Sequence, residues 1–182
     1  DMQISEDQLT YTFTLRDDAK WSDGQKVTAN DFKFSWLRAL NPETAAEYAY
    51  QLFYIKNGQA YNKGEVTAEE VGIEVVDEST LKVTLEAPTA YFAELMAFPT
   101  YMPLREDIVT ANPEGWANDP ETYISNGPFK LVEWTMKDRF VVEKNENYWN
   151  KDSIKLPGIE FLMVTDQNTA YSSLQSGEFD MV

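Results

Sequence analysis

The sequence contains no cysteine and no histidine. Without cysteine there is no disulfide and no thiol nucleophile. Without histidine there is no Ser-His-Asp relay, and with both absent the usual zinc ligand sets cannot be assembled. No cofactor, metal site or catalytic residue is expected in this chain. Positive charge is also scarce: 15 Lys and Arg stand against 31 Asp and Glu, a net charge of −16. A surface of that sign repels phosphates, which excludes nucleic acid as a partner and keeps the chain soluble. No run approaches the roughly 18 apolar residues of a membrane helix. No secretion signal is visible; in a piece of a longer protein it would lie upstream.

Aromatic residues, by contrast, are plentiful at 14% of 182 residues. That length suits one large domain or two small ones. The chain is organised around residues 9–40. Tyr11-Thr12-Phe13-Thr14-Leu15 alternates with period two and reads as a half-buried strand. Trp21-Ser22-Asp23-Gly24 supplies a turn, since Gly takes positive φ at little cost. Thr28 then caps a helix, its hydroxyl reaching the N–H three residues on, with Asp31 in the first turn. Phe32, Trp36, Ala39 and Leu40 share one face of that helix.

Residues 1–8 read as a polar lead-in. After Asn41-Pro42, residues 43–54 form an aromatic-rich helical or irregular segment with Tyr48, Tyr50 and Tyr54. Tyrosine suits a partly wet cleft wall, with its apolar body and polar tip. On the residues alone, packing beneath the loop explains them better. Gly58 and Gly64 act as breakers around a polar stretch. Thr67 and Glu70 match a capping box. The adjacent carboxylates Glu69 and Glu70 belong to a solvated first turn rather than to acid–base chemistry, because neighbours along a helix do not face each other. Ile73–Glu86 alternates as a hairpin turning at Asp77-Glu78-Ser79. A helix is expected over Thr89–Phe98, with Tyr91, Phe92, Leu95 and Met96 inward and Pro99 ending it.

A domain boundary is placed near Leu104-Arg105, giving units 1–104 and 105–182. Arg105–Ala111 reads as a short helix. Ser125–Phe129 is a tight turn with Gly127 as its φ-permissive residue and Pro128 opening a strand through Trp134. Met136-Lys137-Asp138 turns back into a strand from Phe140. Trp134, Tyr148 and Trp149 read as core anchors rather than a carbohydrate platform. Ile159–Val164 is nearly continuously apolar, as a strand buried on both faces. Asp166 caps a helix to Gln175 with Ala170, Tyr171 and Leu174 inward, and Gly177 stops it. Phe179–Val182 begins another strand, completing a right-handed βαβ unit.

The run AKWSDGQKVTANDFKFSW closely resembles the A-x-W-S-D-G-x-x-V-T-A-x-D-F-x-x-S-W motif of extracellular solute-binding protein family 5. These are the oligopeptide- and dipeptide-binding proteins of ABC importers. SNGPFKLVEW, EKNENYW and LQSGEFDM are similar to further motifs of that family, so the resemblance spans essentially the whole chain. The matching residues are structural and identify a family rather than a reaction.

The resemblance implies a mixed α/β fold, a fragment of a type II periplasmic-binding-protein-like architecture: the small outer domain and part of the first lobe. It implies capture of extracytoplasmic peptides and delivery to a membrane permease. The protein is then expected as a monomer in the periplasm or as a cell-surface lipoprotein. NPETAAEY is similar to the segment carrying a ligand-facing tyrosine, which puts Tyr48 in the cleft; Tyr50 and Tyr54 gain no such support. The same scaffold in the family also serves nickel complexes and glycans. Two other classes stay open on the residues: a two-carboxylate hydrolase, although no acid pair sits in a recognisable motif, and an interaction module exposing aromatic surface.

Overall fold

The computed structural model describes residues 1–182. Seven strands form two antiparallel sheets. The first holds β1 (Met2–Ile4), β2 (Thr10–Thr14), β3 (Ile73–Asp77) and β4 (Thr80–Thr84) in the order β1-β2-β4-β3. Its register pairs Tyr11 with Val83, Phe13 with Leu81, Ile73 with Val83 and Val75 with Leu81. Cross-strand partners point to the same side, so these six side chains make one apolar face. The opposite face sets Thr12 beside Lys82 and Lys82 beside Glu74, where a 2.9 Å ion pair forms.

Helix α1 (Ala29–Leu40) lies over the apolar face. Its capping box forms: the Thr28 N–H donates to Asp31 Oδ2 at 2.7 Å. The Thr28 hydroxyl donates to the same oxygen at 3.0 Å, as does the Trp21 indole at 3.2 Å. One carboxylate thus ties the turn before the helix to its first turn. Trp36 is fully buried, and its indole N–H donates to the Tyr101 carbonyl at 2.8 Å. Tyr11, Leu40, Leu52, Ile55, Leu81, Val83 and Phe92 complete the core around it.

Around this layer the chain makes short pieces. Single 3₁₀ turns occupy Pro42–Thr44, Ala49–Leu52 and Ala68–Glu70, the last with the Thr67–Glu70 capping box. Helix α2 (Gly58–Asn62) starts at Gly58, so that glycine does not act as a breaker. It is there for space: a Cβ would stand 2.7 Å from the Leu52 carbonyl oxygen. The lead-in is also more than polar spacer, because Met2–Ile4 pairs with Tyr11–Phe13 as an edge strand. The helix expected over Thr89–Phe98 shrinks to α3 (Phe92–Leu95), and Tyr91 lies outside it with 49% of its surface exposed. Pro99 opens a new 3₁₀ turn, Pro99–Tyr101, which swings Tyr101 into the core. Helix α4 (Glu106–Ala111) follows.

The second sheet is β5 (Phe129–Thr135), β6 (Arg139–Lys144) and β7 (Gly158–Leu162), in that order and antiparallel throughout. Its two faces separate cleanly. Leu131, Trp134, Phe140, Val142, Ile159 and Phe161 share one face by register. Lys130–Glu143, Arg139–Glu133 and Arg139–Glu160 ion pairs cover the other. The expected βαβ unit is not formed. β7 runs antiparallel to β6, and Phe179–Val182 follows α5 (Gln167–Ser176) without strand pairing. Ile159–Val164 is not buried on both faces either: Leu162, Met163 and Val164 are exposed.

The aromatic anchors need the same correction. Trp134 and Trp149 keep 37% and 46% of their surface exposed, Tyr148 is half-buried, and Tyr171 is exposed. For Trp134 the reason is that residues 1–182 leave part of the apolar face of this sheet uncovered; Tyr148, Trp149 and Tyr171 lie outside the sheet altogether. An open hollow of about 200 Å³ remains, lined by Tyr123, Leu131, Trp134, Phe140 and Val142. Trp149 instead carries the Arg16 guanidinium 3.8 Å above its ring.

The WSDG loop joins the two sheets. The Ser22 N–H donates to the Ser125 carbonyl at 2.7 Å, and Asn147 Nδ2 donates to the Ser22 carbonyl at 3.0 Å. Arg105 Nη1 reaches Asp23 at 2.8 Å while its other nitrogens hold Asp107. Gly24 adopts φ +90°, as its turn requires. Gly127 does not take positive φ. It serves through its carbonyl, which accepts from the buried Asn145 side chain at 2.8 Å.

Candidate functional site

Tyr48 stands where the chain leaves the Pro42–Thr44 turn. The Asn41 side chain accepts from the Glu43 N–H at 2.9 Å, and Ala45 turns left-handed at φ 49°. Tyr48 then caps the Ala49–Leu52 turn, whose Ala49 and Leu52 are buried. With its neighbours anchored inward, the Tyr48 side chain projects outward at 49% exposure.

Aromatic rings gather around it. The Tyr48 ring lies 5.3 Å from Phe98 and 5.9 Å from Tyr50, which is itself exposed. A second pair joins the same two segments: Tyr54 and Tyr91 meet edge to face at 5.8 Å. The Tyr91 hydroxyl is 3.5 Å from that of Tyr54, and this hydrogen bond raises the Tyr54 phenol above its ordinary pKa. Residues 48–54 and 91–98 therefore form one aromatic wall. Tyr101 braces it from behind, its hydroxyl donating to the Gln51 carbonyl at 2.5 Å. Burial pushes the Tyr101 phenol pKa well up, so it remains a neutral donor.

Chemically the wall offers flat apolar area with hydroxyl edges. Rings of this kind pack against side chains and peptide planes at little conformational cost. No group of three Asp or Glu side chains comes together in a metal-sized cluster. Tyr48 was the site residue expected from the sequence. Tyr50, noted with Tyr48 and Tyr54 but given no support by the family resemblance, shares its ring cluster. Phe98 and Tyr91 were expected only as helix residues. Their part in the wall depends on contacts between the segments 48–54 and 91–98, far apart in sequence, to which no local pattern points.

The model for "Bacterial extracellular solute-binding proteins, family 5 Middle" matches residues 1–182. The chain belongs to this family. Relatives include the oligopeptide-binding protein OppA of Bacillus subtilis, 45% identical over 179 residues, covering 98% of this chain and 33% of that protein. The dipeptide-binding protein DppE of the same organism is 44% identical, covering 97% of this chain and 32% of its own. Among solved structures, peptide-bound OppA of Listeria monocytogenes superposes with a TM-score of 0.94 at 44% identity. It covers 99% of this chain and 36% of that one. The chain thus spans about a third of the length of the relatives it matches. The mixed α/β architecture is that part of the family's periplasmic-binding-protein-like fold. No helix is long and apolar enough to cross a membrane.

Proposed function

We propose that these residues form scaffold and one wall of a peptide-binding cleft, in the solute-binding component of an ABC importer. The observation that carries the reading is the half-exposed Tyr48 ring, packed on Phe98 and Tyr50 and braced by a buried framework. A peptide lying along this wall gains apolar burial against the rings. Groups on a facing lobe then satisfy its polar backbone. Closure of two lobes by hinge motion traps the ligand, and the closed form is presented to a membrane permease. That the related structure from Listeria holds a peptide, and that the Bacillus relatives are named for oligopeptides and dipeptides, supports peptide as the ligand.

In this reading the chain performs no catalysis; its acids serve turns, caps and ion pairs. The first sheet and α1 belong to a small outer domain, residues 1–104. The second sheet belongs to a lobe beginning near Arg105. The protein works outside the cytoplasm, in the periplasm or tethered as a lipoprotein, as a monomer. Isothermal titration of the natural chain containing residues 1–182 against a peptide library tests the reading. Saturable binding of peptides is expected. Binding of a glycan or a nickel complex with no response to any peptide contradicts it.

A further inference from the structure

The side of α1 turned away from the first sheet carries a groove that the aromatic wall does not include. Its volume is about 470 Å³. Lys33, Phe34, Leu37 and Arg38 of α1 line it, with Tyr61 of α2 and Glu106 of α4. The α1 residues recur at helical spacing, so they form one continuous stripe. Phe34, Leu37 and Tyr61 give a half-buried apolar floor, and Lys33 and Arg38 stand half-buried at its edges.

Arg38 is exceptional in this chain. Of the four arginines, Arg16, Arg105 and Arg139 each hold at least one carboxylate within 3 Å, and Arg38 holds none. Lys33 has no ion pair either. Its field reaches Glu69, but Glu69 is held down mainly by hydrogen bonds from its own backbone and from Thr67. Glu106 lines the same groove without pairing to either cation. Two cations against the single Glu106 carboxylate leave the groove lining with an excess of positive charge, opposite in sign to the −16 of the whole chain.

We infer that this groove is a docking site for an acidic, apolar segment of a partner protein. A bulky apolar side chain covers Phe34, Leu37 and Tyr61. The planar Arg38 guanidinium grips a flanking carboxylate through two parallel N–H donors, and Lys33 attracts a second. An anionic lipid surface fits less well, because the site is concave and a flat headgroup layer cannot reach its floor.

The test is fluorescence anisotropy at low salt, with the natural chain containing residues 1–182 and a labelled Glu-Leu-Glu-Phe-Glu peptide. Saturable binding is expected, weakened about tenfold or more when glutamine replaces each glutamate and when salt is raised. Arg38→Glu is expected to weaken it similarly, with a melting temperature only slightly lowered because Arg38 also stands in the last turn of α1. Lys33→Glu serves as the second variant if Arg38→Glu does not fold. Tyr48→Ala is expected to leave it unchanged, which separates the groove from the proposed cleft. Equal binding of the glutamine peptide, full binding by both charge reversals, loss of binding in Tyr48→Ala, or no saturable binding would each overturn the proposal.

Discussion

Replacing Trp36 with alanine removes one of the largest fully buried side chains and leaves a polar group stranded. Trp36 is 0% exposed, and its ring meets Phe32 at 6.2 Å and Tyr101 at 5.4 Å, both edge-on. Deleting a fully buried tryptophan costs about 3–5 kcal/mol in lost transfer energy and cavity. The indole N–H also satisfies the Tyr101 carbonyl at 2.8 Å, inside the same buried cluster. Orphaning that carbonyl carries a further cost of about 1–3 kcal/mol, partly shared with the cavity term. Domains of this size shift by about 2–4 °C per kcal/mol, so the cavity alone should lower the melting temperature of Trp36→Ala by about 6–20 °C, and the orphaned carbonyl adds to that. Trp36→Phe isolates the polar part. It keeps an aromatic ring but has no donor, and a loss of about 1–3 kcal/mol is expected. Urea unfolding followed by tryptophan fluorescence, alongside thermal circular dichroism, measures both. A shift of only a degree or two in Trp36→Ala would refute the claim that α1 is held to the sheet by this side chain.

Further outcomes follow from the joint between the sheets. Asn145 is 1% exposed; its side chain donates to the Gly127 carbonyl and accepts from the Asn147 N–H. Asn145→Ala should cost about 1–3 kcal/mol in chemical denaturation, and an unchanged midpoint would show these bonds to be dispensable. Arg105→Met strands Asp23, which is only partly exposed, and should destabilise by about 1–3 kcal/mol, discounted because Asp107 is largely solvated. Arg105 also holds the Asp107 carboxyl below its usual pKa, so its stabilising effect is fully present above about pH 4. It disappears as pH falls through the lower folded-state value. Melting temperature against pH should therefore fall less steeply in acid for Arg105→Met than for the parent; parallel curves would contradict the assignment.

Local patterns in the sequence carried most of the first sheet. The alternation at Tyr11–Leu15 and Ile73–Glu86, and the α1 stripe with its Thr28 cap, appear in the structure within a residue or two. Met2–Ile4 escaped notice because three residues are too few to show a period, and only the register with β2 makes them a strand. In the second half, the strands through Trp134 and from Phe140 were placed, but composition was silent on what covers their faces. Trp134, Trp149, Tyr171 and the Ile159–Val164 run have the composition of a core, yet none of them is buried. Direction was equally invisible: an apolar run followed by a capped helix suggests a parallel crossover, while pairing with β6 makes β7 antiparallel. Of the wall, Tyr48 was legible only through the NPETAAEY resemblance. Phe98 and Tyr91 emerge from contacts between distant segments, which one sequence does not encode locally.

The cleft assignment stands or falls on Tyr48. Peptide affinity of the natural chain containing residues 1–182 should be measured by calorimetry for the parent, Tyr48→Phe and Tyr48→Ala. An aromatic anchor at a binding surface contributes about 1–2 kcal/mol, so Tyr48→Ala should bind roughly tenfold more weakly while Tyr48→Phe stays near the parent. Equal affinity in all three proteins, with unchanged melting temperatures, would place the ligand elsewhere and contradict the account.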